Sequence, residues 1–421
     1  MKKMMLFVGW SLCPAVSFYL WCSQMAVQGG AITLLDISAL MGYIAYAFFF
    51  LQTAVLLTFP WTEPVLGTSL SYRLQDRFAL MALAALTAHI VLFASVYGKL
   101  PRGIYLWPAY AGIFLSLLNT AANFGYQAGL FSYELRQSIH KTNGAVFPLF
   151  FIHGMIMHRE NLFSPFTMYL CALFLLWAAL HGALSERKKR LIKESHKIID
   201  VVKENHEVWT VLCEKNNFSY LPGQYAFVST LHNGRISAPH PFSLTSHPGE
   251  KHLSFTVKWL GEFTSTIHHL TPGDHLIIDG PYGQFSFLNY KASEMVFIAG
   301  GIGITPLFSM LRYAHKVKSR HPITLLWGNK RKEDIIFRQE LKQMTLDMER
   351  FKVVHVLSRD KSKRGERGHV DLDRIKKYVD HPFEAHYFIC APKGMRDDII
   401  RGLLAWGVPE TGIHPEKFSL P

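Results

Sequence analysis

Hydrophobic residues are arranged along this chain in two textures. Up to Leu184 they form six long stretches, near residues 4–26, 37–60, 78–98, 103–125, 140–158 and 163–184. Each is on the scale of the roughly 20 apolar residues that a helix needs to cross a bilayer core. The fifth is the shortest and relies on its ends. A cleaved export signal fits poorly with a first stretch of that length followed by further spans. Beyond Arg190 the apolar runs shorten and alternate, as in Ile198-Ile199-Asp200-Val201-Val202, Tyr225-Ala226-Phe227-Val228 and Leu253-Ser254-Phe255-Thr256-Val257. Pro222-Gly223, Pro272-Gly273 and Pro281-Tyr282-Gly283 punctuate them, which predicts a small antiparallel β-barrel. From about Glu294 the pattern changes again. Met295–Ala299 leads into Gly300-Gly301-Ile302-Gly303, a helical segment covers Leu307–His315, and apolar runs follow at Ile323–Trp327, Phe351–Leu357 and His386–Cys390. Strand, glycine turn, helix and strand in that order predict a parallel α/β domain. The expected chain is multidomain: an all-α six-helix transmembrane bundle over 1–190, an antiparallel β-barrel over 191–290 and an α/β domain over 291–421.

Composition narrows the class. Only 18% of residues are charged and 49% are hydrophobic, with a mean hydropathy of +0.13; average soluble domains carry about 25% charged residues. The low charged share argues against a wholly cytosolic protein, and the high apolar content with 14% of aromatic residues excludes a disordered one. The net charge is +13, and in an apolar chain such an excess reads as positive cytoplasmic loops rather than as a nucleic-acid surface. Lys2, Lys3, Arg73, Arg77, Arg136, Lys141 and the run Arg187-Lys188-Lys189-Arg190 fall on one face of the six stretches, and only Lys99, Arg102 and Arg159 on the other. The positive-inside rule then puts both termini in the cytoplasm, in the inner membrane if the cell is bacterial. The cysteines Cys13, Cys22, Cys171, Cys213 and Cys390 have no paired spacing, which argues against a disulfide scaffold, an iron–sulfur cluster or a zinc site.

Two groups of residues carry chemistry. The first comprises the histidines within apolar stretches: His89 midway along the third, His140, His153 and His158 on the fifth, and His181 near the end of the sixth. An ionisable or ligating group inside a span is costly and marks function by default. The second is a series of motifs in the polar half. Pro222-Gly223-Gln224-Tyr225 is followed by His240-Pro241-Phe242-Ser243-Leu244-Thr245-Ser246 and Gly280-Pro281-Tyr282-Gly283. Gly300-Gly301-Ile302-Gly303-Ile304-Thr305-Pro306 and Cys390-Ala391-Pro392-Lys393-Gly394-Met395 come after them. The fourth follows a strand and opens a helix, where glycines admit a phosphate to backbone N–H groups.

In this order the motifs resemble those of ferredoxin–NADP reductase-type flavoproteins. The HPFSLTS string resembles the version in NADPH oxidases and membrane ferric reductases. With six spans in front, the chain resembles the ferric reductase/NADPH oxidase superfamily, which implies FAD on the barrel, NADPH on a Rossmann-like α/β domain and haem b between spans. Flavin is the necessary junction, because nicotinamide moves two electrons together and haem iron one. By resemblance Phe242 offers an aromatic face to the flavin and Ser243 a donor near its reactive nitrogen. His240, Pro241, Gly280, Tyr282 and Gly283 belong to the same site, and Lys258 adds charge near the phosphates. Gly300, Gly301, Gly303, Thr305 and Pro306 would cradle the dinucleotide. Ser358, Arg359, Lys330 and Arg331 lie where the adenosine ribose and its 2′-phosphate are read. Cys390 would lie near the nicotinamide, Met395 of the same motif is counted among the cofactor-binding residues, and Phe418 resembles the terminal aromatic that shields the flavin. The plainer alternatives are barrel packing for Phe242, a turn role for His240, solvated loop charges for the cations and packing for Cys390.

His89 and His153 would ligate one haem from two facing helices. His140 stands where the two-haem pattern has its second fifth-span histidine. On the third span the matching position is Gln75 beside Asp76, neither a good haem ligand. One firmly held haem is therefore expected, and an inner one would need His181 or Gln75 as a substitute ligand. The expected function is transfer of electrons from cytosolic NADPH through FAD and haem b to an acceptor beyond the membrane. That acceptor is a ferric chelate, or oxygen in the alternative of a superoxide-generating oxidase, and no accessory subunit is implied. A haem-binding membrane sensor or transporter subunit with a degenerate reductase domain is the alternative of another class.

Overall fold

The computed structural model describes residues 2–99, 103–232, 234–359 and 366–416. The chain divides into two units, one on each side of the Lys189–Arg190 junction. The first is helical: α1 (Lys2–Gln28), α2 (Leu34–Leu57), α3 (Phe59–Leu66), α4 (Thr68–Tyr97), α5 (Trp107–Gln127), α6 (Tyr133–His140), α7 (Asn143–Met157) and α8 (Pro165–Lys193). Among the described residues, five helices (α1, α2, α4, α5 and α8) are long and apolar enough to cross a membrane. α2 starts on a capping box, in which Asp36 accepts from the Thr33 N–H at 2.8 Å and Thr33 Oγ1 accepts from the Asp36 N–H at 3.3 Å. Its Phe49 and Phe50 are buried against Phe147 and Phe150 of α7.

Two of the six expected stretches come out differently. α4 starts at Thr68, upstream of the expected 78–98. The polar segment before Phe78 stays helical by turning Ser71 and Gln75 into the bundle while Arg73 and Arg77 face outward. The fifth stretch, expected as one helix over 140–158, is two. α6 ends at His140, and α7 begins at Asn143 and runs 15 residues. The break is held by Thr142, whose hydroxyl donates to the Ile139 carbonyl at 2.7 Å and accepts from Asn119 Nδ2 at 2.9 Å. His140 and His153 therefore do not share a helix, which corrects the expectation that both lie on one span.

The second unit begins with an antiparallel barrel built from β1 (His196–Lys203), β2 (Val208–Glu214), β3 (Tyr225–His232), β4 (Arg235–Ile236), β5 (His240–Ser243), β6 (His252–Lys258) and β7 (His275–Tyr282). The sheet order is β4-β3-β7-β1-β2-β6, with β5 on β3. A bridge between Leu244 and Phe255 of β6 joins the two ends and closes the barrel. Inward residues such as Val211, Leu244, Phe255 and Leu276 fill it. The short helix α9 (Glu262–Ser265) lies between β6 and β7.

A parallel sheet of β8 (Met295–Gly300), β9 (Ile323–Asn329), β10 (Phe351–Leu357), β11 (Glu366–Arg367), β12 (His386–Cys390) and β13 (Ile413–Pro415) follows, in the order β11-β10-β9-β8-β12-β13. It is accompanied by α10 (Ile304–Lys316), α11 (Arg338–Asp347), α12 (Leu372–Tyr378) and α13 (Lys393–Trp406). Every residue of β8 is buried, as in a parallel sheet covered on both faces. The chain proceeds outward from β8 to β9 and β10 on one side and places β12 on the other. The strand order thus reverses between β8 and β12, and ligands of open α/β sheets bind at the carboxyl ends of strands at such a point.

Candidate functional site

In the helical unit, His89 of α4 and His153 of α7 line one cavity of about 590 Å³. Gly42 of α2 makes room for the His89 ring: a β-carbon there would lie 3.2 Å from His89 Nδ1. His89 Nδ1 sits 2.8 Å from the Ser38 carbonyl, and Ser38 Oγ donates to the His89 carbonyl at 2.9 Å. A carbonyl only accepts, so Nδ1 carries the proton and Nε2 of the neutral ring keeps its lone pair. That is how a metal-ligating histidine is held. His153 Nδ1 is buried with no partner. No Asp, Glu, Lys or Arg is among the described residues lining the cavity. Two imidazoles from different helices, an oriented tautomer, an orphaned ring nitrogen and an apolar wall fit a haem. His158 lies in the same cavity, bonded to the Tyr43 hydroxyl at 2.8 Å.

His140 lies elsewhere. With Gln75, Asp76, Asn119, Asn123 and Asn143 it lines a second cavity of about 210 Å³, and its Nδ1 is 3.0 Å from both Asn119 Oδ1 and Asn143 Nδ2. Amides hold the ring there. His181, the other candidate for an inner ligand, packs edge-on against Trp177.

On the barrel, β5 carries His240, Pro241, Phe242 and Ser243, paired with β3 from Val228 back to Tyr225. The His240 ring stacks on Phe263 at 4.1 Å, and Phe242 packs partly buried beside it. Ser243 Oγ is buried with no hydrogen-bond partner, an orphan that a ligand acceptor would satisfy. Gly280, Pro281 and Tyr282 close β7, and the Gly283 carbonyl accepts from Gln224 Nε2 at 2.8 Å. A side chain at Gly283 (φ +86°) would press on the Tyr225 ring at 3.1 Å. The two turns of the barrel motif set therefore brace each other.

In the nucleotide-binding domain a cleft of about 490 Å³ opens at the switch between β8 and β12. Gly300, Gly301, Lys330, Ser358, Arg359 and Met395 line it, as does Lys258. Gly303 lies against the end of β12, where a β-carbon would run into the Cys390 carbonyl oxygen. Trp327 Nε1 donates to the Gly301 carbonyl at 2.9 Å and fixes the loop from below. Thr305 and Pro306 open α10 and are buried. The Arg359 N–H donates to the Lys330 carbonyl at 2.8 Å, which brings the two cationic residues to adjacent strand ends. Lys258 is paired with Glu207 at 2.5 Å, so its charge is already matched. Cys390 is fully buried among Phe297, Trp327 and Phe388, and burial pushes its thiol well above the usual range. Phe418 lies outside the described residues. Asn205 and Asn329, which the motifs did not single out as binding groups, line this cleft with buried side-chain nitrogens that have no partner. Asn329 stands beside Lys330 and could have been found from that motif. Asn205, in the β1–β2 turn, has no sequence signal.

Comparison with known proteins gives two family matches: an FAD-binding domain over residues 193–286 and an oxidoreductase NAD-binding domain over residues 297–400. NADH-cytochrome b5 reductase 2 of Mycosarcoma maydis is 31% identical over 156 residues, which are 35% of this chain and 45% of that protein. The reductase component of propane 2-monooxygenase of Rhodococcus jostii is 29% identical over 220 residues, 49% of this chain and 58% of that one. The chain spans about half the length of the curated relatives it matches. Among solved structures, a ferredoxin NADP+ reductase from Neisseria gonorrhoeae with bound FAD and NADP is 18% identical, with a TM-score of 0.48 over 53% of this chain and 98% of that chain. Residues 193–286 and 297–400 thus form an FAD-binding domain followed by an oxidoreductase NAD-binding domain, the module of an NAD(P)H-dependent oxidoreductase.

Proposed function

We propose that this protein is a membrane flavohaem reductase that takes electrons from cytosolic NADPH and delivers them across the membrane. FAD would supply the junction between two-electron hydride chemistry and one-electron carriers, and haem b a one-electron carrier within the bilayer. On this reading Phe242 and Ser243 hold and polarise the flavin ring. The loop over 300–303 receives the dinucleotide phosphates at a helix start. Lys330 and Arg359 discriminate the 2′-phosphate, and His89 and His153 hold a single haem. The bundle crosses the membrane six times with both termini cytoplasmic, α7 being the short fifth span. Lys99 and Arg159 are exposed just beyond the ends of α4 and α7. Their charge favours an anionic ferric chelate as the acceptor. The observation that carries the proposal is the His89–His153 cavity, present in the same chain as the FAD/NAD(P) module. The test is anaerobic addition of NADPH to purified, FAD-loaded protein. A haem difference spectrum that requires FAD supports the proposal. Bleaching of flavin with no haem signal would reject it.

A further inference from the structure

Arg312 and Ser309, both on α10, tie the helix after the glycine loop to the barrel. Arg312, on the third turn of α10, directs its guanidinium at Glu340 on one side and at the barrel on the other, where Nη1 lies 3.5 Å from Ser254 Oγ. Nε and Nη2 donate to the two carboxylate oxygens of Glu340 on α11, at 2.7 and 2.8 Å. Nη1 reaches across to the barrel and donates to the Thr245 carbonyl at 3.1 Å. A bidentate arginine–carboxylate pair fixes the plane of the fork as well as its position, so the third bond is aimed by the first two. The guanidinium also lies 4.8 Å from the Phe308 ring centre and 5.4 Å from that of Phe337. These rings stack on each other at 4.2 Å. Phe337 holds this place with φ +56°, a left-handed conformation rare for a bulky residue. One turn earlier on the same helix, Ser309 Oγ donates to the Ser246 carbonyl at 2.5 Å. Ser246 is itself tied into the barrel, because its Oγ accepts from the Ser254 N–H at 3.0 Å and bonds the Tyr220 hydroxyl at 2.8 Å.

The two carbonyls held by α10 belong to Thr245 and Ser246, directly after Phe242-Ser243-Leu244. α10 itself starts at the end of the glycine loop that lines the nucleotide cleft. A single rigid element thus holds both the flavin strand and the dinucleotide loop. We infer that Arg312 is a positioning residue for hydride transfer: with Glu340 it sets the distance between the flavin held by β5 and the nicotinamide held by the 300–303 loop. Arg312 is not among the residues lining the nucleotide cleft. The inference rests on the proposed FAD and NADPH sites and not on the haem. Its physical basis is that a misplacement of about 1 Å between reacting groups can cost on the order of 100-fold in rate while leaving binding largely intact.

The test uses the full-length, FAD-loaded protein in anaerobic stopped flow, which separates NADPH affinity from the limiting rate of flavin reduction. Arg312→Lys keeps the charge and loses the fork. It is expected to keep wild-type FAD content and an NADPH Kd within about twofold, and to lose roughly 10- to 100-fold in limiting rate. Glu340→Gln, which leaves Arg312 in place but weakens its aim, is expected to show a smaller loss of the same kind. A folded, FAD-loaded Arg312→Lys with the wild-type limiting rate would overturn the inference, as would a loss confined to Kd. Where Arg312→Lys fails to load FAD, Ser309→Ala and Glu340→Gln are judged by the same two criteria. Failure of the wild type to be reduced by NADPH at all would instead count against the functional proposal.

Discussion

Replacing Gly303 with alanine places a methyl group on the Cys390 carbonyl. The β-carbon would meet that oxygen, lie 2.8 Å from the Cys390 carbonyl carbon and 3.4 Å from the Ala391 nitrogen. All three are backbone atoms at the end of a buried strand, so none can swing aside as a side-chain tip would. The loop must therefore retreat toward the cleft, and the Trp327 bond to the Gly301 carbonyl resists that movement. Overpacking of this kind costs about 1–3 kcal/mol, and a lost neutral hydrogen bond adds about 1 kcal/mol. If most of this, about 1.5–3 kcal/mol, falls on the bound state, NADP+ affinity drops roughly 10- to 150-fold. Equilibrium dialysis of NADP+ against FAD-loaded protein measures it, with FAD content showing that the barrel is intact. Gly394→Ala is the control from the neighbouring motif, since nothing lies within 4 Å of its added carbon. It is expected to bind within about twofold of wild type. If Gly303→Ala binds NADP+ as wild type does, the loop is not packed as described and the glycine has no steric role.

Arg359→Ala should raise the KM for NADPH far more than that for NADH, because one charge-assisted contact is worth about 1.5–3 kcal/mol, or roughly 10- to 150-fold; equal losses would reject a 2′-phosphate role. Burial, with His386 at 2.9 Å from it, pushes His414 down to about 4. The unfolded chain, with histidine near its ordinary 6.5, then binds more protons than the folded one between those values. The stability of the nucleotide-binding domain should accordingly be full above about 6.5 and fall as pH drops toward 4. Thermal melting of His414→Asn against wild type should show a shallower slope in that window, and parallel curves would count against it.

Much of the polar half was legible because its signals are local. The runs Phe351–Leu357 and His386–Cys390 are strands of those bounds; the second is buried on both faces from Tyr387 onward, and such a strand needs no alternation. The HPFSLTS string falls on β5 and the residues after it because its pairing partner, Tyr225-Ala226-Phe227-Val228, reads as a strand in its own right. The helical half was less legible. Hydropathy sees apolar residues only, so the segment Ser71–Arg77 of α4, which turns Ser71 and Gln75 into the bundle and its arginines outward, was invisible to it. The break after His140 carries no proline, and its cause is a tertiary hydrogen bond from Asn119 to Thr142. For the same reason neither the fork of Arg312 across to Thr245 nor the orphaned nitrogen of Asn205 could be read from sequence. These depend on residues far apart in the chain, brought together only by the closed barrel and the sheet beside it.

On the proposed function the bundle holds one haem, between His89 and His153, which receives its electrons from the flavin. Pyridine haemochrome set against extracted FAD tests it most directly, in wild type, His89→Ala, His153→Ala and His140→Ala. The expected result is one haem per flavin in wild type, lost in His89→Ala and His153→Ala and kept in His140→Ala. Two haems per flavin, with one lost in His140→Ala, would contradict it, as would a wild-type protein that carries flavin and no haem.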